Sequence, residues 1–190
     1  HTGHAYQISA LKAQLGPDTS VVAVMSGSWV QQGRPAVTDT WTRARMALNG
    51  GADLILELPT VWAASSAESF ARGAVELLCR CGVIDTLCFG SETGEQDTLL
   101  AAAECLDSPD YPEQLRKALE GGASFAAARQ AAVEALIGPS GAALASPNNN
   151  LGVEYLRALR SLHSNIKPVT IRREGAAHNS LDRTGEGFRS

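Results

Sequence analysis

His1-Thr2-Gly3-His4-Ala5-Tyr6-Gln7-Ile8-Ser9-Ala10-Leu11 opens the chain, and its reading decides the fold. Two imidazoles three positions apart stand at the head of an apolar helical pattern: Ala5, Ile8, Leu11 and Leu15. On a helix, residues i and i+3 project from one face. Both histidines would then point where the unpaired amide N–H groups and the positive dipole end also point. Such a terminus is a phosphate site, and Gly3 would let a bulky ligand approach the backbone. A frayed terminal His1 and a surface His4 are the plain alternative, and the tetrapeptide alone leaves both open.

Outward from this stretch, the pattern alternates. A helix over about residues 4–15 gives way to the turn Gly16-Pro17-Asp18. Val21-Val22-Ala23-Val24-Met25 is a continuous apolar run ending at Ser26-Gly27, which reads as a buried parallel strand. A polar loop runs from Ser28 to Asp39. Trp41, Ala44 and Leu48 then repeat at helical spacing up to Gly50-Gly51, with Trp41 expected in the core. Asp53-Leu54-Ile55-Leu56-Glu57-Leu58-Pro59 is a second strand. Ala67, Phe70, Ala71, Ala74, Leu77, Leu78 and Cys81 form the clearest amphipathic helix, a core stripe stopped by Gly82. Ile84 to Phe89 predicts a third strand, ending at Gly90-Ser91-Glu92.

Between Glu95 and Gly138 only helical patterns occur, broken near Pro109 and Gly121-Gly122, so a helical insertion is expected over about residues 95–145. Pro147-Asn148-Asn149-Asn150 precedes another helix, and Val169-Thr170-Ile171-Arg172 is a last strand. Strands alternating with helices predict a parallel α/β sheet with ligands at the carboxyl ends of its strands. A phosphate motif that opens a helix is fed by a strand. The chain begins at the motif itself and without Met, so it is expected to be a fragment lacking its first strand.

Composition narrows the function. A chain of 190 residues with 44% hydrophobic residues, 18 Gly and 8 Pro reads as one ordinary globular unit. No apolar run nears the ~20 residues that cross a bilayer, and no signal segment is present. Cys79, Cys81, Cys88 and Cys105 lack C-x-x-C spacing, which argues against zinc or a disulfide framework and for reduced cytoplasmic thiols. The net charge of −4 conceals an asymmetry: residues 1–156 carry −8 and residues 157–190 carry +4. A basic end formed by Arg157, Arg160, Lys167, Arg172, Arg173, Arg183 and Arg189 suggests an anionic ligand there, or simply a solvated tail.

Taken in a row, several segments resemble the bacterial tRNA(Met) cytidine acetate ligase family, a branch of the H-x-G-H nucleotidylyltransferases. They are His1-Thr2-Gly3-His4, Val24-Met25-Ser26-Gly27, Trp41-Thr42-Arg43-Ala44-Arg45-Met46-Ala47-Leu48, Gly51 to Pro59, Leu87 to Glu92, Ser146-Pro147-Asn148-Asn149-Asn150-Leu151-Gly152 and Ile166 to Arg173. The resemblance covers nearly the whole chain and is weakest over residues 95–145. It implies a Rossmann-like parallel sheet, residues 1–190 forming a nucleotidylyltransferase-like catalytic domain, and a helical region beyond Ser190. It also implies ATP-dependent activation of acetate to acetyl-adenylate and acetyl transfer to N4 of the wobble cytidine (C34) of elongator tRNA(Met), giving N4-acetylcytidine in the cytoplasm.

By the same resemblance, His1 and His4 are catalytic phosphate-binding residues, with Thr2 and Gly3 beside them at ATP. Gly90, either Asn148 or Asn149, and either Arg172 or Arg173 complete the ATP site, with Mg2+ on the phosphates and no carboxylate identified as its ligand. An asparagine capping the following helix is the structural alternative for the Asn pair.

Three departures stand out. Gln31-Gln32-Gly33-Arg34 replaces the family's usual Gln-Arg-Gly-Glu. Ala177-His178-Asn179 lacks the usual aromatic residue and carboxylate, and the chain ends where a Ser/Ala-rich phosphate segment is expected. Residues 1–190 alone are therefore expected to turn over weakly. Two other readings stay open: a nucleotidylyltransferase that adenylylates another small acid or phosphate substrate, and a non-catalytic nucleotide- or RNA-binding remnant.

Overall fold

A computed structural model of the chain describes residues 2–173. His1, Ala177-His178-Asn179, Arg183 and Arg189 lie outside the described residues. Helix α1 (Thr2–Leu15) is followed by β1 (Val22–Ser26), and α2 (Thr40–Asn49) by β4 (Leu54–Leu58). β1 and β4 pair in parallel, Val22 opposite Leu54 and Ser26 opposite Leu58. Between β1 and α2 the expected polar loop contains a small hairpin, β2 (Trp29–Val30) against β3 (Arg34–Pro35), joined by a single 3-10 turn at Gln31–Gly33. The short α3 (Thr60–Ala63) and the long α4 (Ala67–Cys81) lead to β5 (Thr86–Ser91). After three helices, α5 (Gln96–Leu106), α6 (Tyr111–Glu120) and α7 (Phe125–Ile137), comes a 3-10 run at Gly138–Ala145. Helix α8 (Pro147–Ser161) then leads to β6 (Lys167–Arg172), which pairs in parallel with β5.

The parallel α/β architecture is as expected. Among the described residues, however, the strands form two parallel couples that are not hydrogen-bonded to each other. Side chains link them. Gln7 of α1 donates to Cys88 Sγ on β5 (3.5 Å), while Lys12 lies 3.9 Å from Asp53 at the start of β4. Val24 of β1 packs on the same core as Phe89 of β5.

That core lies between α4, α8 and β5. Val75, Leu78, Leu87, Phe89, Leu99, Val133, Val153, Leu156 and Leu159 fill it. Burying each such side chain fully contributes about 1.5–3 kcal/mol. The stretch expected as an insertion contains only helices and the turns between them, and Leu99 and Val133 from it join this shared core. α4 follows its sequence pattern over Ala71, Ala74 and Leu78, but Cys81, expected to end the core stripe, is exposed where the helix runs out beyond its neighbours. Ser66 accepts from Ser69 N at its start, and Gly82 closes it in the left-handed region at φ +70. Gly152 lets α8 seat on β5, because a Cβ there would stand 2.7 Å from the Phe89 ring.

Trp41 corrects the sequence reading: it is 82% exposed rather than in the core. α2 packs against β1 and β4 yet buries none of its residues. Polar anchors hold it instead. Asp39 caps it by accepting from Thr42 N (2.9 Å), and the Arg43 guanidinium donates to the carbonyls of Ser26 (2.8 Å) and Gly27 (2.6 Å). Helical spacing of apolar residues reports a face, not whether anything covers it. Among the described residues, no helix is long and apolar enough to cross a membrane.

Candidate functional site

The carboxyl ends of β5 and β6 lie side by side, Gly90 opposite Ile171 and Ser91 opposite Arg172. Helix α1 packs against both strands. A Cβ on Gly90 would come within 3.3 Å of Arg173 Cγ and 3.8 Å of Gln7 Oε1, so Gly90, Gln7 and Arg173 are immediate neighbours. Arg173 is held by its backbone, whose N–H donates to Ser91 O (2.9 Å). Ser91 is itself fixed, its hydroxyl 2.7 Å from Thr170 Oγ1 and accepting from Gly94 N at 3.0 Å.

His4 lies one helical turn before Gln7. Its imidazole is held below the ordinary histidine range, first by desolvation, with the positive charge of Arg173 adding to the effect. The ring still presents surface to solvent. The ring thus lies close to a cation, a setting that an anion would reverse. Gly3 lies in the same turn, and Thr2 contributes its helical backbone.

Strand alternation separates the two candidate arginines. Arg173 lies against Gly90, while Arg172 lies against the loop after β5, where a Cβ on Gly94 would approach Arg172 Cβ to 2.6 Å. Gly94 also has φ +68, so this position needs glycine on both counts.

A second group gathers at the start of α8. Ser146 makes no side-chain cap there. The Glu92 carboxylate does that work from the end of β5, accepting from Asn148 N (3.2 Å), Asn149 N (2.8 Å) and Asn148 Nδ2 (2.8 Å). Burial alone would raise the Glu92 carboxyl, but these hydrogen bonds bring it below the usual carboxylate range. In return, Asn149 Oδ1 accepts from Glu92 N (2.8 Å) and Thr93 N (3.2 Å). Asn149 is buried and lines a cleft of about 340 Å3 beside Thr93, Ser140 and Ser146. The two asparagines thus differ: the Asn148 side-chain NH2 is tied to Glu92, whereas that of Asn149 has no protein partner among the described residues.

The asparagine-capping alternative is half right. The helix is capped, but by a glutamate 56 residues away in sequence. Neither Glu92 nor Gln7 was a candidate from the sequence. Glu92 follows a strand end directly, the one local hint of its role, but its partners lie beyond any local pattern.

The basic end resolves in part. Arg157 pairs with Asp107 (2.8 Å) and Glu154 (2.9 Å), and Arg160 with Glu104 (2.6 Å), so these two serve helix packing rather than a ligand. Arg172 and Arg173 form no ion pair among the described residues. No group of three His, Cys, Asp or Glu side chains able to hold a metal occurs among the described residues. Glu92, the carboxylate at this site, is taken up by amide donors. The described residues thus do not fit a protein-held Mg2+, and no ligand is assigned to it.

The chain resembles known proteins over nearly its whole length. The tRNA(Met) cytidine acetate ligase of Caldanaerobacter subterraneus subsp. tengcongensis is 46% identical over 190 residues, covering 98% of this chain and 47% of that protein. The protein of the same name from Acetivibrio thermocellus is 43% identical, covering 97% and 46%. The crystal structure of apo Thermotoga maritima TmcAL superposes with a TM-score of 0.90 at 36% identity, over 98% of this chain and 46% of that one. The structure of the same protein bound with alpha-thio ATP gives 0.84 over 92% and 44%. The chain spans about half the length of the relatives it matches. The HIGH Nucleotidyl Transferase family model matches residues 1–190. On that match, together with the site built by α1, Gly90 and Arg173, the chain belongs to the HIGH nucleotidyl transferase family.

Proposed function

We propose that the protein activates acetate with ATP and transfers the acetyl group to N4 of the wobble cytidine (C34) of elongator tRNA(Met), in the cytoplasm. The single observation that carries this reading is the meeting of Gln7 on α1, Gly90 and Arg173 at the ends of β5 and β6, one helical turn from His4. In the first step an acetate oxygen attacks the α-phosphorus of ATP, and the bond to pyrophosphate breaks. Negative charge grows on the phosphoryl oxygens and on the leaving group. The first-turn amides of α1, with His1 and His4, would meet that charge, and Arg173 would reach phosphate from the opposite side. In the second step the cytidine N4 attacks the acetyl carbon, AMP departs and a proton is lost from N4.

Gly90 leaves the space through which the nucleotide approaches the sheet edge. Asn149, not Asn148, is assigned to the nucleotide, because its NH2 remains available while Asn148 holds Glu92. Gly3 and Thr2 complete the phosphate turn. Mg2+ would accompany the ATP phosphates, without a ligand assigned to it here. Catalysis of this kind rests on positioning and fixed dipoles and needs no covalent enzyme intermediate.

The test is mass analysis of nucleosides from elongator tRNA(Met) incubated with the intact protein, ATP and acetate. N4-acetylcytidine formed only when all three are present is expected. Adenylate formation with another acid but never with acetate would overturn the reading.

A further inference from the structure

The connection between β1 and α2 carries side chains that the adenylation site does not use. Trp41 is 82% exposed, Trp29 48% and Val37 fully exposed. Trp41 and Arg45 are four apart on α2, hence on one face, and both point away from the core. Trp29 stands opposite Pro35 in the hairpin and shares its face, while Arg34, paired with Val30, projects from the other face. Arg43 fastens the first turn of α2 to the carbonyls of Ser26 and Gly27, which sets these groups at the carboxyl end of β1.

Charge decides what such a face suits. Residues 28–49 contain Arg34, Arg43 and Arg45 against one acid, Asp39, in a chain of net charge −4. Asp39 is engaged as the α2 cap, and Glu57 lies behind Gly27. Arg34 and Arg45 form no ion pair among the described residues. Flat aromatic faces beside an unpaired guanidinium group, as Trp41 and Arg45 present on α2, match unpaired bases on a phosphate backbone.

We propose that the Trp29 face of the β2–β3 hairpin and the outer face of α2 form a platform for single-stranded RNA, Trp29 and Trp41 stacking on unpaired bases and Arg45 meeting a phosphate. The choice of RNA as partner rests on the tRNA reading above. A protein partner, or a second copy of this chain, is the competing occupant, and the experiment separates them.

The probe is an RNA stem–loop carrying the tRNA(Met) anticodon loop, compared with a fully paired duplex of equal length. Both are titrated into the intact protein while tryptophan fluorescence is followed. The parent binds the stem–loop more tightly than the duplex, with quenching. Trp29→Ala and Trp41→Ala each weaken stem–loop binding by roughly tenfold, in line with stacking energies for single bases, and Trp→Phe at either position recovers most of it. Arg45→Gln lowers the slope of log affinity against log salt by about 1, whereas Arg34→Gln, on the other face of the hairpin, leaves it unchanged. All these variants keep the parent's melting temperature and its acetate-dependent ATP–pyrophosphate exchange.

Equal affinity of the tryptophan variants and the parent for the stem–loop overturns the platform. So does equal affinity of the parent for stem–loop and duplex, or a Trp41→Ala variant that changes only self-association. Loss of pyrophosphate exchange in a parent that still binds the stem–loop through these tryptophans would sink the acetate reading and leave the platform standing.

Discussion

At the scale of single residues, the account turns on His4 and on which arginine faces the nucleotide. His4 is held below its ordinary range by desolvation and by Arg173. Bound phosphates would reverse the local sign and favour the imidazolium. The His4 ring should therefore titrate at higher pH with ATP bound than without it. By linkage, ATP binding then takes up a proton, so His4 makes affinity rise as pH falls between the bound and free values. NMR titration of the ring with and without ATP checks this, and an unchanged or lowered value on binding contradicts it. Arg173→Ala should weaken ATP binding by tenfold or more, about 1.4 kcal/mol, whereas Arg172→Ala, on the other side of the strand, should change it little; calorimetry with ATP separates them. The sequence alone could not choose between neighbours in the Arg172–Arg173 pair or in the Asn148–Asn149 pair. In the proposed reading, strand alternation favours Arg173 in the first pair, and the hold of Glu92 on Asn148 favours Asn149 in the second.

At the scale of elements, the join between β5 and α8 carries the most consequence. Glu92 caps α8 and Asn149 caps the loop after β5, so each strand-end backbone is held by the other element's side chain. Glu92→Gln keeps one acceptor and loses the charge, at a cost of about 1–2 kcal/mol, or roughly 2–4 °C in melting temperature per kcal/mol. The native Glu92 carboxyl lies below its unfolded value, so its stabilisation is present above the unfolded value and is lost as pH falls through the native one. The gap in melting temperature between parent and Glu92→Gln should therefore be full near pH 7 and shrink in acid below about pH 4. A gap independent of pH would show that the charge contributes nothing.

The individual elements were well legible in the sequence because periodicity and glycine stops are local signals. Helix α4 with Gly82 shows this best. The β2–β3 hairpin escaped because two-residue strands leave no alternation to read. Trp41 was misplaced because its helix is anchored by Asp39 and Arg43 rather than by burial.

At the scale of the whole molecule, two parallel couples of strands are spanned by α1, whose Gln7 meets β5 and whose Lys12 meets Asp53 before β4. The expectation of a parallel sheet with strand-end ligands came from the alternation of elements, and the family match agrees with it. Continuity of the sheet was not legible, since hydrogen-bond partners of distant strands are set by tertiary packing. The central claim is that the α1 first turn acts with Gly90 and Arg173 in acid activation by ATP. Acetate-dependent ATP–pyrophosphate exchange by the intact protein and its His4→Ala variant tests it most directly. The account predicts exchange that requires acetate in the parent and falls roughly 10²–10³-fold in the variant, with the melting temperature unchanged. Exchange that ignores acetate, or a His4→Ala protein as active as its parent, would contradict it.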